Sequence, residues 1–174
     1  MNLTIFAANI LDVPADVLVS TANPWLQMTG GVNLAIILRP QGEQIYDELQ
    51  QHLRGTGLPY VAPGTVVQTG PGSLPVKHIL HAVSIDPSYD SSVELVVETI
   101  TRALTLAREL GARSVNLPAL ATGFGPLLLE EFAAALDRAL QTDWSPLETL
   151  NVVLKTEEDA EKVRAVLKAA GQNV

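Results

Sequence analysis

Apolar residues fall into short runs and four-residue spacings that alternate along the chain. Leu3 to Ala8 and Asp16 to Ser20 each read as a strand, the second an apolar Val17-Leu18-Val19 run bounded by Asp and by Ser, Thr and Asn. The chain then passes Pro24 into Gly30-Gly31, and Val32, Leu34, Ala35, Ile36 and Ile37 open a short helix. A second helix carries Ile45, Leu49 and Leu53 at four-residue spacing, and the Gly- and Pro-bearing residues 55–64 form a loop. Thr65 to Thr69 and Lys77 to Ser84 are predicted strands on either side of a Gly70-Pro71-Gly72 turn. Val93, Val96, Val97, Ile100, Leu104 and Ala107 keep a helical period, with Gly111 placed as its C-terminal cap. Ser114 to Leu117 is a short strand, a helix runs from about Glu130 to Leu140, and Leu150 to Lys155 is a largely apolar strand. Thr156 is placed to cap a final helix, with Glu157, Glu158 and Asp159 in its first turn and Gly171 beyond its end.

Alternating strands and helices predict an α/β fold, a largely parallel or mixed sheet with helices on both faces. The chain has 174 residues, 47% of them apolar, with no internal repeat or linker, so a single domain over residues 1–174 is expected. No cysteine is present, which excludes disulfides, thiolate metal sites and cysteine nucleophiles. Met1 to Phe6 lacks the basic stretch of a secretory signal, and no uncharged apolar run approaches the roughly 20 residues of a membrane helix. A cytoplasmic protein with no membrane partner is therefore expected. The net charge is −8 and no Lys or Arg precedes Arg39, which weighs against nucleic-acid binding. An anionic small ligand remains compatible, because oriented backbone N–H groups can hold phosphate without cations.

In such sheets, ligands bind beyond the carboxyl ends of the strands. Three strand-end loops carry unusual residues: Ala8-Asn9-Ile10, Asn23 to Val32, and Pro118 to Pro126. The second and third are strand-to-helix passages with glycines, a phosphate-cradling arrangement in many α/β proteins. An ordinary turn whose glycines serve only backbone geometry accounts for the second equally well. Two such loops facing each other would suit a diphosphate. Phe124 lies between Gly123 and Gly125, and its reading leans towards ligand contact over burial in the core.

Other candidates for chemistry are weaker. His52 sits on a predicted surface helix face, while His78 and His81 point to opposite faces of one strand, His81 as a packed residue. No His, Asp and Glu spacing resembles a metal site, so no metal and no cofactor are expected. Glu130 and Glu131 complement a helix start, Asp12 and Asp16 flank a turn, and Ser20 has no neighbouring base in sequence.

Taken in order, these segments resemble the macrodomain family, the ADP-ribose-binding fold. The family's Gly-Asp-Ile after the first strand is similar to Ala8-Asn9-Ile10. Its Ile-Val-Asn-Ala-Ala-Asn strand end is similar to Leu18-Val19-Ser20-Thr21-Ala22-Asn23, and its Gly-Gly-Gly-Val loop to Thr29-Gly30-Gly31-Val32. Its Gly-x-x-x-x-Thr-x-Gly strand, Ile-Ile-His-Ala-Val strand and Pro-Ala-Leu-Gly-Thr-Gly loop resemble Gly64 to Gly70, Ile79 to Val83, and Pro118 to Gly123. Order and spacing agree over nearly the whole chain.

The resemblance implies a three-layer α/β/α sandwich around a central mixed, largely parallel sheet, and binding of ADP-ribose or a related metabolite. It implies that Asn9 and Ile10 meet the adenine, Asn23 the distal ribose, and the amides of Gly30, Gly31 and Val32 the diphosphate. Thr122, Gly123, Phe124 and Gly125 would close over the phosphates and distal ribose from the other side. Its hydrolytic members carry Asn where this chain has Ser20 and Asp where it has Asn33, so Asn23, Ser20 and Asn33 are the candidate catalytic set. Thr29, Ala121 and Pro126 each replace a family glycine, and Pro126 removes an N–H donor. The implied partner is a small ADP-ribose-type ligand or an ADP-ribosylated macromolecule. The competing readings are a hydrolase with an altered catalytic set, a single-stranded nucleic-acid binder, and a protein-contact domain that has lost its ligand.

Overall fold

Residues 1–174 are all described by the computed structural model, in which six strands pair into one sheet. These are β1 (Asn2–Ala7), β2 (Val17–Ala22), β3 (Val66–Thr69), β4 (His78–Val83), β5 (Ser114–Leu117) and β6 (Thr149–Leu154), in the order β1-β6-β5-β2-β4-β3. Every pairing is parallel except the antiparallel pair β3 and β4. Five helices accompany them: α1 (Gly31–Ile37), α2 (Gly42–Thr56), α3 (Val93–Glu109), α4 (Leu129–Ala139) and α5 (Glu157–Ala169). No helix is long and apolar enough to cross a membrane.

Side-chain alternation along the strands sorts the interior into two layers. Val17, Val19, Leu80, Ala82, Val115, Leu117, Leu150 and Val152 point to one face and pack with α3, α4 and α5 through residues such as Ile100, Leu104, Phe132 and Val163. Leu18, Val67, Ile79, Val83 and Val153 point to the other and meet α1 and α2 through Ile36, Ile45 and Leu49. The result is a three-layer α/β/α sandwich around a mixed, mostly parallel sheet.

Local chemistry sets the element ends. The Ser92 side chain accepts the Leu95 N–H to start α3, and Thr156 accepts that of Asp159 to start α5. Leu110 caps α3 and Gly111 follows with φ of 72°, the left-handed conformation that glycine adopts without strain. Strand β2 runs two residues past the expected Ser20, because Thr21 and Ala22 continue the parallel ladder with Ala82 and Val83.

Two polar features are explained only by how the strands pair. Asn116 stands beside Asn151, and Asn151 beside Thr4. The Thr4 hydroxyl donates to Asn151 Oδ1, Asn151 Nδ2 to Asn116 Oδ1 at 2.9 Å, and Asn116 Nδ2 to the Val13 carbonyl at 2.8 Å. This chain of amides ties the β1–β6–β5 half of the sheet to the segment after β1. Asp16, at the opposite edge from the strands' carboxyl ends, accepts the N–H groups of Arg113 at 2.7 Å and Ser114 at 3.1 Å and pairs with Lys77. The Lys77 ammonium and then the Arg113 amide hold its carboxyl down at about 2.

Candidate ligand-binding cleft

Because β1, β2, β4, β5 and β6 run parallel, their carboxyl ends share one edge of the sheet. The loops leaving all five line a single cleft of about 840 Å³, within the size range of small-molecule sites.

After β1, Asn9 and Ile10 line the cleft. Asn9 also caps a 3-10 turn over Ile10–Asp12: its Oδ1 accepts the Leu11 N–H at 3.3 Å and its Nδ2 donates to Asp12 at 2.6 Å. Asp12 is held in turn by Arg39 at 2.8 Å. The Asn9 amide is thereby fixed in orientation, with Asp12 drawing its Nδ2.

After β2, Asn23 lines the cleft with its amide closed onto the backbone of Gln27, accepting its N–H at 3.0 Å and donating to its carbonyl at 2.9 Å. Gly30, Gly31 and Val32 lie further along the same loop and also line the cleft. Gly31 has φ of 58°, and a Cβ there would stand 2.5 Å from Thr21 Oγ1, so both backbone and space demand glycine. The same Thr21 hydroxyl accepts the Val32 N–H at 3.1 Å. The expectation that Val32 offers its amide to a ligand therefore meets a prior partner. The N–H of Gly31, first in α1, has no acceptor within the helix.

After β5, Thr122, Gly123, Phe124 and Gly125 line the facing wall. The loop folds back on itself: Leu127 N–H donates to the Ala121 carbonyl at 3.1 Å, Thr122 Oγ1 to that of Ala119 at 3.0 Å, and Ala121 has φ of 60°. A Cβ at Gly125 would fall 2.5 Å from Ala121 O, whereas Gly123 has open space around it. The two glycine loops meet through Phe124, whose ring lies so close to Gly30 that a Cβ there would be 2.4 Å from Cε2. Phe124 is 70% exposed and so lies outside the core.

Ser20 and Asn33 depart from the expectation that they reach the site. Both are buried and neither is among the residues lining the cleft. They face the α1 and α2 layer, where Asn33 Oδ1 lies 2.6 Å from Ser20 Oγ and 2.8 Å from His81 Nδ1. Accepting from both, it places the His81 proton on Nδ1, and Nε2 lies 2.9 Å from the Thr69 hydroxyl, which also reaches the Gly70 carbonyl at 3.2 Å. Burial pushes the His81 pKa down to about 3, so the ring is neutral at pH 7. Asn33 Nδ2 is buried without a partner. The assembly joins α1 to β2, β4 and β3 beneath the cleft.

Thr21, the residues after β4 (Ser84, Ile85, Tyr89) and those after β6 (Lys155, Asp159) also line the cleft, and no local motif in the sequence marks them as lining residues. The available signal was topological: each further parallel strand brings one more loop to the same edge. Asp159 is the one carboxylate and Lys155 the one ammonium among the lining residues, and no imidazole is present there.

The chain belongs to the macrodomain family: the Macro domain family model matches residues 19–136. It is 33% identical to an uncharacterized protein of Pyrobaculum aerophilum, over 97% of this chain and 92% of that one. Among solved structures it is similar to an Oceanobacillus iheyensis macrodomain with ADP, at 27% identity and a TM-score of 0.78, covering 97% of this chain and 90% of that one. A variant of that macrodomain with ADPR superposes with a TM-score of 0.81 at 23% identity, over 98% and 93% of the two chains.

Proposed function

We propose that the cleft binds ADP-ribose or a closely related ADP-ribosyl metabolite, residues 1–174 acting as one binding domain. The observation that carries this reading is the meeting of two glycine loops across one cleft, with Phe124 seated on Gly30. The diphosphate lies between the amides of Gly30 and Gly31 on one wall and those of Thr122 to Gly125 on the other. Neutral N–H groups at close range stand in for cations, of which the lining has only Lys155. Adenine lies at the Asn9 and Ile10 end, where Asn9 presents an amide in place of the family's carboxylate. The distal ribose lies by Asn23 and Phe124. Family membership and the Oceanobacillus macrodomain with ADP support the nucleotide end of this arrangement.

The reading is of a binder. Ser20 and Asn33 are committed to a buried network, and the one carboxylate lining the cleft, Asp159, stands after β6 at the adenine end. Asn23, the third candidate, positions the loop through Gln27 and offers no titrating group.

Isothermal titration of ADP-ribose into the wild type and into Gly123→Glu tests the proposal. Open space around Gly123 lets the variant fold, while the new carboxylate enters the phosphate region. One-to-one binding by the wild type, lost in a variant of unchanged melting temperature, is the expected result. A wild type that takes up no ADP-ribose overturns it.

A further inference from the structure

Three loops leaving neighbouring strands each bring one aromatic ring towards one end of the cleft: Trp25 after β2, Tyr89 after β4 and Phe124 after β5. Tyr89 is central, its ring centroid 6.1 Å from that of Trp25 and 6.4 Å from that of Phe124. Tyr89 and Phe124 line the cleft, whereas Trp25 lies outside its lining, half-buried and beside Tyr89. Tyr89 is 41% exposed and is held there by its turn. Its backbone has φ of 62°, its N–H donates to the Asp86 carbonyl, and Asp86 Oδ1 accepts the N–H groups of Ser88 at 2.7 Å and Asp90 at 2.9 Å.

The surroundings of this strip are acidic. The turn bearing Tyr89 carries two carboxylates, Asp86 and Asp90, within a chain of net charge −8. Lys155, the one ammonium lining the cleft, follows β6, three strand spacings from the β4 that leads to Tyr89, or about 14 Å, and one spacing from the β5 that leads to Phe124. Exposed aromatic faces carry partial negative charge and attract flat cations, and nearby carboxylates add to that attraction while repelling phosphate. A nucleic-acid chain would bring phosphates to the wrong end.

We propose that Trp25, Tyr89 and Phe124 form a subsite for a flat cation carried on the anomeric carbon of the distal ribose. Its source is the pyridinium of an oxidised nicotinamide dinucleotide or the guanidinium of an ADP-ribosylated arginine. The inference rests on the ADP-ribose reading, which places the distal ribose beside Phe124 and so directs its substituent onto the strip.

The test titrates ADP-ribose, oxidised and reduced nicotinamide adenine dinucleotide, and Nω-ADP-ribosyl-arginine into the wild type, Trp25→Leu and Trp25→Phe. The wild type should prefer the oxidised over the reduced dinucleotide by about fivefold or more. Trp25→Leu should cut that preference to less than about twofold with ADP-ribose affinity unchanged, and Trp25→Phe should retain most of it. The oxidised dinucleotide should also quench tryptophan fluorescence in the wild type and not in Trp25→Leu, since the other tryptophan, Trp144, is buried. A gain for the dinucleotide alone assigns the pyridinium, and a matching gain for the arginine conjugate assigns the guanidinium as well. Binding of ADP-ribose with neither a preference for the oxidised dinucleotide nor a gain for the arginine conjugate overturns the subsite and leaves the ADP-ribose reading standing. Absence of ADP-ribose binding overturns both. Should Trp25→Leu fail to fold, the wild-type preference and Trp25→Phe decide the matter.

Discussion

Asn33 shows how one side chain's direction separates two readings of the same position. It occupies the place where hydrolytic relatives are expected to carry a carboxylate, yet its amide points into the molecule and joins Ser20 to His81. The sequence held a clue, since Ile36 lies three residues on and is fully buried, so both share the inward face of α1. Replacing Asn33 by Ala strands the Ser20 hydroxyl and the His81 N–H, and should lower the unfolding free energy by about 2–4 kcal/mol in denaturant titration. Asn33→Asp instead removes the unpartnered Nδ2 and sets a carboxylate beside the imidazole. The His81 pKa should then rise from about 3, by at least about one unit, as an NMR titration of the ring would show. In the wild type the folded state keeps His81 neutral while the unfolded chain protonates it. Stability is therefore lost on acidification from about pH 6.5 towards pH 3, with a slope of up to about 1.4 kcal/mol per pH unit. A flat profile across that window contradicts the buried, neutral assignment.

At the scale of elements, periodicity made helices and strands legible because burial on one side leaves a repeating apolar mark. The expected elements all formed, with ends displaced by a residue or two where pairing continued, as at Thr21 and Ala22 in β2. What periodicity could not supply was the link between elements far apart in sequence. Asp16 reads locally as a turn residue, but it fastens the start of β2 to the start of β5 through Arg113 and Ser114. Its folded pKa of about 2 lies below the ordinary 3.8, so its contribution is present above about pH 4 and disappears as the pH falls through 2. Asp16→Asn should be less stable than the wild type at pH 7, and the difference should narrow below pH 4 in urea melts. A difference that stays constant with pH would mean that the carboxylate charge contributes nothing.

Across the whole molecule, the cleft exists because five strands run in the same direction and deliver five loops to one edge. The chain is acidic and only Lys155 brings positive charge to the lining. An anion held chiefly by neutral amides should bind with little dependence on ionic strength. The dissociation constant for ADP-ribose should change by less than about threefold between 20 and 200 mM salt. A steep loss with salt would point to cations elsewhere as the holders. The sequence by itself determined the alternation of elements, the two glycine loops and the motif order that carries the family resemblance. Those are properties of local conformation and of residue order. Only the tertiary structure decided that Val32's amide is already taken, that Ser20 and Asn33 lie beneath the cleft, and that Trp25, Tyr89 and Phe124 stand side by side. Each of these depends on strand register and on the direction of a side chain towards a partner distant in sequence, and no local preference encodes that distance.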